Sequence, residues 1–336
     1  MENFTRNHNQ SNTMQNQIKI GFSLDMINMH HQEPNRNRQE SKYYWEELYP
    51  LIVAAGFHGI EMPFDPFWIF RGGSGVPFTN YCIDIKYKNV DNYLKYLKDK
   101  GIDKVAGINF SPQMFMRNED LNFYFGASGH FGGEAIRFAS ELGCDYINVT
   151  PTAPYGLITH YHGKNAEAHW EKDFIKRTIE MINKFAETAA QHSIKLVLKN
   201  EYWGLFRGNK ISEYLSEMDD SIRLNIDTAH LSISGLNSVE FFKEHAPKIG
   251  SVNLTDTAFV DEDDIWKTAN PEYPETKATQ VFRDLGFGNL DLISFYQALN
   301  KTDYDGWVIC SCRQTRDPMR ALLRSRSFID NNILMT

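Results

Sequence analysis

The sequence predicts an α/β fold, a single-domain (β/α)8 TIM barrel, and three features predict it. Short apolar runs of β-like character alternate with longer segments of helical spacing along the 336-residue chain. Four successive runs, those around Ile194–Glu201, Ile222–His230, Ser251–Asp256 and Gly306–Arg313, carry their polar residues at the C-terminal end. No linker suggests a second domain, and no short internal repeat suggests a solenoid. A barrel gathers its strand ends at one mouth, so polar strand ends predict a site there.

Taken in order, residues 1–17 are Asn/Gln-rich without an apolar core segment, so a disordered tail is expected rather than a signal peptide, with the barrel over 18–336. Ile18–Leu24 reads as the first strand, and Tyr43–Ala55 as a helix closed by Gly56. Phe57–Met62 is the second strand, with Glu61 near its upper end. The Gly- and Pro-rich stretch Pro63–Pro77, with Phe64, Phe67, Trp68 and Phe70, is an aromatic loop. Val90–Lys100 is helical, Val105–Phe110 the third strand, Gly133–Leu142 a helix ended by Gly143, and Tyr146–Thr150 the fourth strand.

Phe174–Gln191 places Ile175, Ile179, Ile182, Phe185 and Ala189 on one stripe, the mark of an amphipathic helix. The fifth strand starts at Ile194 and the sixth ends at Asp227. Val239–Glu244 is helical, and Ser251–Leu254 is the seventh strand. Asp261–Glu275 is a long Asp- and Pro-rich loop, Leu290–Leu299 a helix, Trp307–Cys310 the eighth strand and Asp317–Asn331 the last helix.

Composition narrows the function. With 42% hydrophobic and 23% charged residues the chain is globular. A formal charge of −8 and no Lys/Arg stripe argue against a nucleic-acid partner. No apolar run is long enough for a membrane span. The expectation is a cytoplasmic protein. Cys82, Cys144, Cys310 and Cys312 are too sparse for a disulfide framework and read as packing residues. His160 and His162 sit in a loop, where solvated histidines are commoner than ligands.

The candidates that converge at the mouth are Glu61, Lys199, Glu201, Asp227, His230, Asn253, Asp256, Ser311 and Arg313. Side chains two apart share a strand face, which pairs Lys199 with Glu201 and Ser311 with Arg313. Trp68 and Trp203 would wall an apolar side of the pocket, suited to one face of a sugar.

Residues Gly56–Glu61, Asn225–His230, Val252–Asp256, Gly286–Asp291 and Tyr304–Val308, in that order and spacing, resemble the xylose isomerase-like TIM barrels over roughly residues 18 to 333. These are sugar isomerases and epimerases, inosose dehydratases and related cyclitol enzymes. The resemblance implies one divalent cation, manganese, magnesium or cobalt, held by a Glu, an Asp, a His and a Glu after strands five to eight. The Asp falls on Asp227, with His230 as the substrate-contacting histidine. The first Glu falls on Lys199, or on Glu201 if the register relaxes by two; the His falls on Asn253 and the last Glu on Ser311.

Two readings of that departure stand open. Asp227, Glu201 and Asp256 form a weaker all-oxygen metal site, with Asn253 offering its carbonyl oxygen, or Lys199 and Arg313 take over the cation's electrostatic role without metal. The resemblance implies a small polyhydroxylated substrate. It also implies isomerase or epimerase chemistry by proton abstraction beside a carbonyl, with Glu201 as base, His230 relaying a hydroxyl proton, and Lys199 or Arg313 balancing charge. Lys199 as base or Schiff-base amine is a further option. Glu61, Trp68, Trp203, Asn253 and Ser311 would contact substrate. The alternatives are a dehydratase or lyase using Lys and Arg in place of the metal, and a non-catalytic barrel subunit. Such barrels often pair, so a homo-oligomer or a partner subunit is expected.

Overall fold

Runs such as Tyr146–Val149, Ile249–Leu254 and Trp307–Cys310 are buried at every position. Strands buried on both faces are stable when one face lines a barrel interior and the other lies under helices. A computed structural model shows that closure, describing residues 18–27, 38–70, 75–163, 169–272, 280–313 and 315–334. The tail at 1–17 and parts of the loops expected at 63–77 and 261–275 lie outside the described residues, as does the side chain of Trp68.

The strands are β1 (Lys19–Ser23), β2 (Gly59–Pro63), β3 (Lys104–Phe110), β4 (Tyr146–Val149), β5 (Lys195–Leu198), β6 (Arg223–Asp227), β7 (Ile249–Leu254) and β10 (Trp307–Cys310). They close in the order β1-β10-β7-β6-β5-β4-β3-β2, every pairing parallel. Two short strands, β8 (Asp256–Thr257) and β9 (Phe282–Arg283), form an antiparallel ribbon beyond β7.

The lower barrel is filled by Ala106, Tyr146, Val197, Trp307 and Ile309. Gly107 makes room for one of these rings: a Cβ there would lie 2.2 Å from Tyr146. Because strand side chains alternate, Asn148, Lys199 and Ser311 sit one step above Tyr146, Val197 and Ile309 on the inward face.

The structure moves several expected boundaries. The helix expected from Gly133 starts twelve residues earlier and runs Leu121–Glu141. Its glycines disguise it, and Gly132 serves packing: a Cβ there would meet the Phe185 ring at 2.2 Å, on the helix Trp170–Gln191. A helix at Asn80–Tyr87, capped by Thr79, was not expected. The fifth strand stops at Leu198 rather than Glu201. Asn200 ends it, its amide donating to the Gly208 carbonyl (3.0 Å) and accepting the Gly208 N–H (3.1 Å), which closes a loop over 200–208.

Candidate active site

Above the apolar layer lies a polar one, built on a carboxylate. Glu61 is fully buried and its Oε1 accepts from Ser23 (3.3 Å), Asn109 (2.8 Å) and Asn253 (3.1 Å), its Oε2 from Tyr146 (2.8 Å) and Asn148 (2.9 Å). These donors come from β1, β3, β4 and β7, so Glu61 on β2 points to the barrel axis. Asn225 extends the layer, donating to Ser251 (2.8 Å) and to Asn253 Oδ1 (2.8 Å), while Ser251 donates to Asn148 (2.8 Å). A buried anion is tolerable when its acceptor sites are filled in this way. Glu61 and Asn253 therefore sit in the layer beneath the mouth, with their polar atoms engaged.

The uppermost layer is charged. Lys199 is 3% exposed, Glu201 6%, Asp227 2% and His230 0%. Asp227 ends β6 and caps the helix Thr228–Ile233, its Oδ1 accepting the His230 N–H (3.2 Å) and its Oδ2 the Thr255 hydroxyl (3.2 Å). Burial pushes its carboxyl up to about 6, against the opposing pull of Lys199, these two hydrogen bonds and Arg313.

His230 is one helical step on. Burial first, then the charges of Lys199 and Arg313, push its imidazole well below the ordinary histidine range, so the ring is neutral. Its Nδ1 accepts the Tyr202 N–H at 3.1 Å, which leaves the ring proton on Nε2. That Nε2–H is buried and has no hydrogen-bond partner among the described residues. Rings of Trp203 (4.7 Å), Phe282 (5.1 Å) and Tyr202 (5.6 Å) hold the imidazole in place.

Glu201 is tied on both oxygens, to Arg313 Nη1 (2.9 Å) and to the Trp203 indole N–H (2.8 Å). Arg313 also pairs with Glu272 at 2.7 Å and lies 5.5 Å from the Trp203 ring centre. Burial opposes its charge, but Glu272 and Glu201 outweigh burial and hold the guanidinium above its usual value. Trp203 is thus a buried wall that orients Glu201. Lys199 contrasts with Arg313: its ammonium makes no hydrogen bond or ion pair with a described residue, and its charge is felt at Asp227 and His230 through space. The Ser311 backbone N–H donates to Leu254, and its side chain is buried.

Asp256 faces elsewhere. Its carboxylate accepts the N–H groups of Thr257 (2.9 Å), Gly286 (2.9 Å), Gly288 (2.9 Å) and Leu290 (3.3 Å), pinning the 284–290 loop. His160 and His162 lie in a turn at Thr159–Gly163, with His160 exposed. Cys310 and Cys312 are buried and unbridged, the latter 3.7 Å from Asp284.

The divalent ion implied by the resemblance does not fit these residues. No three His, Cys, Asp or Glu side chains among the described residues are grouped to hold an ion. At the implied ligand positions stand Lys199, whose ammonium only donates, and Asn253, whose amide is spent on Glu61 and Asn225. Glu201 is neutralised by Arg313, and Asp256 is spent on its loop.

The sequence reading missed Asp25, Glu272 and the Asn-rich layer. Asp25 sits just above β1, accepts from Asn109 at 2.7 Å and acts electrostatically on Arg313. Its place two residues after Ser23, on the inward alternation, was the available signal. Glu272 had none, because a loop residue carries no periodicity.

A protein-family model described as a xylose isomerase-like TIM barrel matches residues 50–331. An inosose dehydratase from Bacillus licheniformis is 25% identical over 164 residues, covering 47% of this chain and 54% of that protein. Another from Clostridium botulinum is 26% identical over 155 residues, covering 44% and 51%. The match thus spans about half the length of these curated relatives. Among solved structures, the probable 3-DHS dehydratase of petrobactin synthesis from Bacillus anthracis superposes with a TM-score of 0.66 at 14% identity, covering 94% of this chain and 99% of that one. L-ribulose 3-epimerase gives 0.65 at 17%, covering 95% of each. At these identities the likeness to solved structures is one of fold.

Proposed function

This chain belongs to the xylose isomerase-like TIM barrel family, and we propose that it is an enzyme that removes a proton beside the carbonyl of a keto-sugar or keto-cyclitol. One observation carries the reading. Asp227, a buried carboxyl raised to about 6, shares the mouth with two donors, the ammonium of the largely buried Lys199 and the buried His230 Nε2, that lack partners among the described residues. A base poised near neutrality beside unsatisfied donors suits enolisation.

In this reading Asp227, ionised at pH 7, takes the proton from the carbon next to the carbonyl. The bonding pair forms the C=C bond, and the carbonyl π pair moves to oxygen. His230 Nε2–H hydrogen-bonds a substrate oxygen as a neutral donor. Glu201, held by Arg313 and Trp203, is an acceptor for substrate hydroxyls rather than the base. When a hydroxyl lies β to the carbonyl, its departure with the proton from Asp227 gives water and an enone; the inosose dehydratase relatives favour this outcome. Reprotonation on carbon instead gives an epimer or isomer, a second reading favoured by the epimerases of like fold.

The test is proton NMR in D2O with a panel of inososes and ketoses, alongside enone absorbance. Wild-type protein should exchange or eliminate at the carbon beside the carbonyl, and Asp227→Asn should not. No exchange with any member, or full activity in Asp227→Asn, would sink the proposal.

A further inference from the structure

We infer that the Lys199 ammonium is the built-in electrophile of this site, receiving the substrate's enolate oxygen where a divalent ion would otherwise be expected. The inference rests on the proton-transfer reading above and names the group that stabilises the charge this transfer creates.

Removing a proton beside a carbonyl leaves negative charge on oxygen, and in a dry site that charge needs a positive neighbour already in place. Among the described residues two cations reach the mouth, and they are not equivalent. Arg313 is committed: Glu201 takes one nitrogen at 2.9 Å and Glu272 the other at 2.7 Å. Two carboxylates already balance its single charge. Lys199 is 3% exposed and forms no hydrogen bond or ion pair with a described residue.

Enclosing a lysine side chain without giving its ammonium a partner is costly, so folded proteins keep such a group where a ligand completes it. Its direction is fixed by the strand: Val197, two residues before it, belongs to the barrel-interior cluster, so Lys199 extends up the same inward face. It lies within electrostatic reach of both Asp227 and His230. His230 Nε2 is a second donor, itself fully buried, without a partner among the described residues. Two unsatisfied donors next to one carboxylate match a substrate oxygen that turns anionic while the neighbouring carbon loses its proton. Nothing in the donor set favours a metal in that position, since an ammonium cannot ligate one and repels it.

Ascorbate, a stable enediolate anion, tests this without turnover. Binding is measured anaerobically by calorimetry in the presence of EDTA, for wild type, Lys199→Met, Lys199→Arg and Arg313→Lys. Wild type should bind; Lys199→Met should bind at least about tenfold more weakly; Lys199→Arg should recover part of the loss. Lys199→Met should also melt no lower than wild type, because the lost ammonium supports no contact with a described residue. Ascorbate binding that is absent in wild type, unchanged in Lys199→Met, or dependent on added manganese or magnesium overturns the inference. Lys199-dependent ascorbate binding without proton exchange in any keto-sugar or keto-cyclitol would retain the inference and reject the proposed function.

Discussion

Replacing Asp227 by Asn should abolish proton transfer and yet stabilise the protein at neutral pH. The Asp227 carboxyl has an ordinary value of 3.8 and is pushed by burial to about 6 in the folded protein. A group whose folded pKa is raised contributes stability that is fully present below the unfolded pKa and is lost as pH rises through the folded pKa. The difference of roughly 2 units corresponds to about 3 kcal/mol of stability surrendered between pH 4 and pH 7. Asn keeps the helix cap, since its Oδ1 can still accept the His230 N–H that Asp227 accepts at 3.2 Å. Its amide can donate to the Thr255 hydroxyl that now donates at 3.2 Å. Urea unfolding of both proteins at pH 4.5 and 7.5 isolates the effect, because other titrating groups cancel in the difference. Asp227→Asn should gain up to about 3 kcal/mol at pH 7.5 and much less at pH 4.5. A gain that does not change with pH, or a loss at pH 7.5, would refute the assignment of burial as the dominant influence on this carboxyl.

Glu61→Ala should cost roughly 3–5 kcal/mol in the same assay, since it strands donors on Ser23, Asn109, Tyr146, Asn148 and Asn253; a neutral result would mean the polar layer repairs itself. Gly107→Ala should lower stability by about 2 kcal/mol or more, because its methyl would sit 2.2 Å from the Tyr146 ring and displace it from Glu61. Asp256→Ala should speed amide exchange across 284–290, where the carboxylate holds three N–H groups, and leave manganese titrations unchanged. Glu272→Gln should loosen the stretch 258–272, held at the mouth by Glu272 on Arg313 (2.7 Å) and by the Tyr202 hydroxyl on the Pro271 carbonyl (2.8 Å), which faster amide exchange there would reveal.

The barrel was legible because its signals are local. Trp307–Cys310 was bounded correctly, and the sixth strand does end at Asp227, with His230 in the helix that follows. Alternation also carried Lys199 and Ser311 to the inward face. What alternation cannot convey is depth. Glu61 and Asn253 share the inward face with the rim residues but lie one layer lower, where hydrogen bonds to neighbours consume them. Nor can it convey partnership across the mouth: Glu201 reads as a free carboxylate until Arg313, 112 residues later, is seen at 2.9 Å. The helix Leu121–Glu141 was half hidden because intrinsic propensity counts glycine against a helix, whereas Gly132 is there to admit Phe185.

The rim's charge pattern is the reason the proposed base is Asp227 rather than Glu201. A carboxylate that accepts from a guanidinium and an indole N–H at 2.9 and 2.8 Å has both oxygens already engaged and held in place. Asp227 accepts only neutral donors, a backbone N–H and a hydroxyl, and its nearest cations act through space. Burial therefore dominates there, and the proton affinity rises toward the working range. Exchanging Arg313 for Met would free Glu201 from its ion pair and remove one of the two cations that hold the Asp227 carboxyl down. Arg313→Met should accordingly broaden or shift the acid limb of the pH–rate profile, whereas Arg313→Lys, which keeps the charge, should leave that limb near its wild-type position. Identical profiles for the two variants would mean that Arg313 positions Glu201 by shape alone and that its charge does not divide the labour between the two carboxylates.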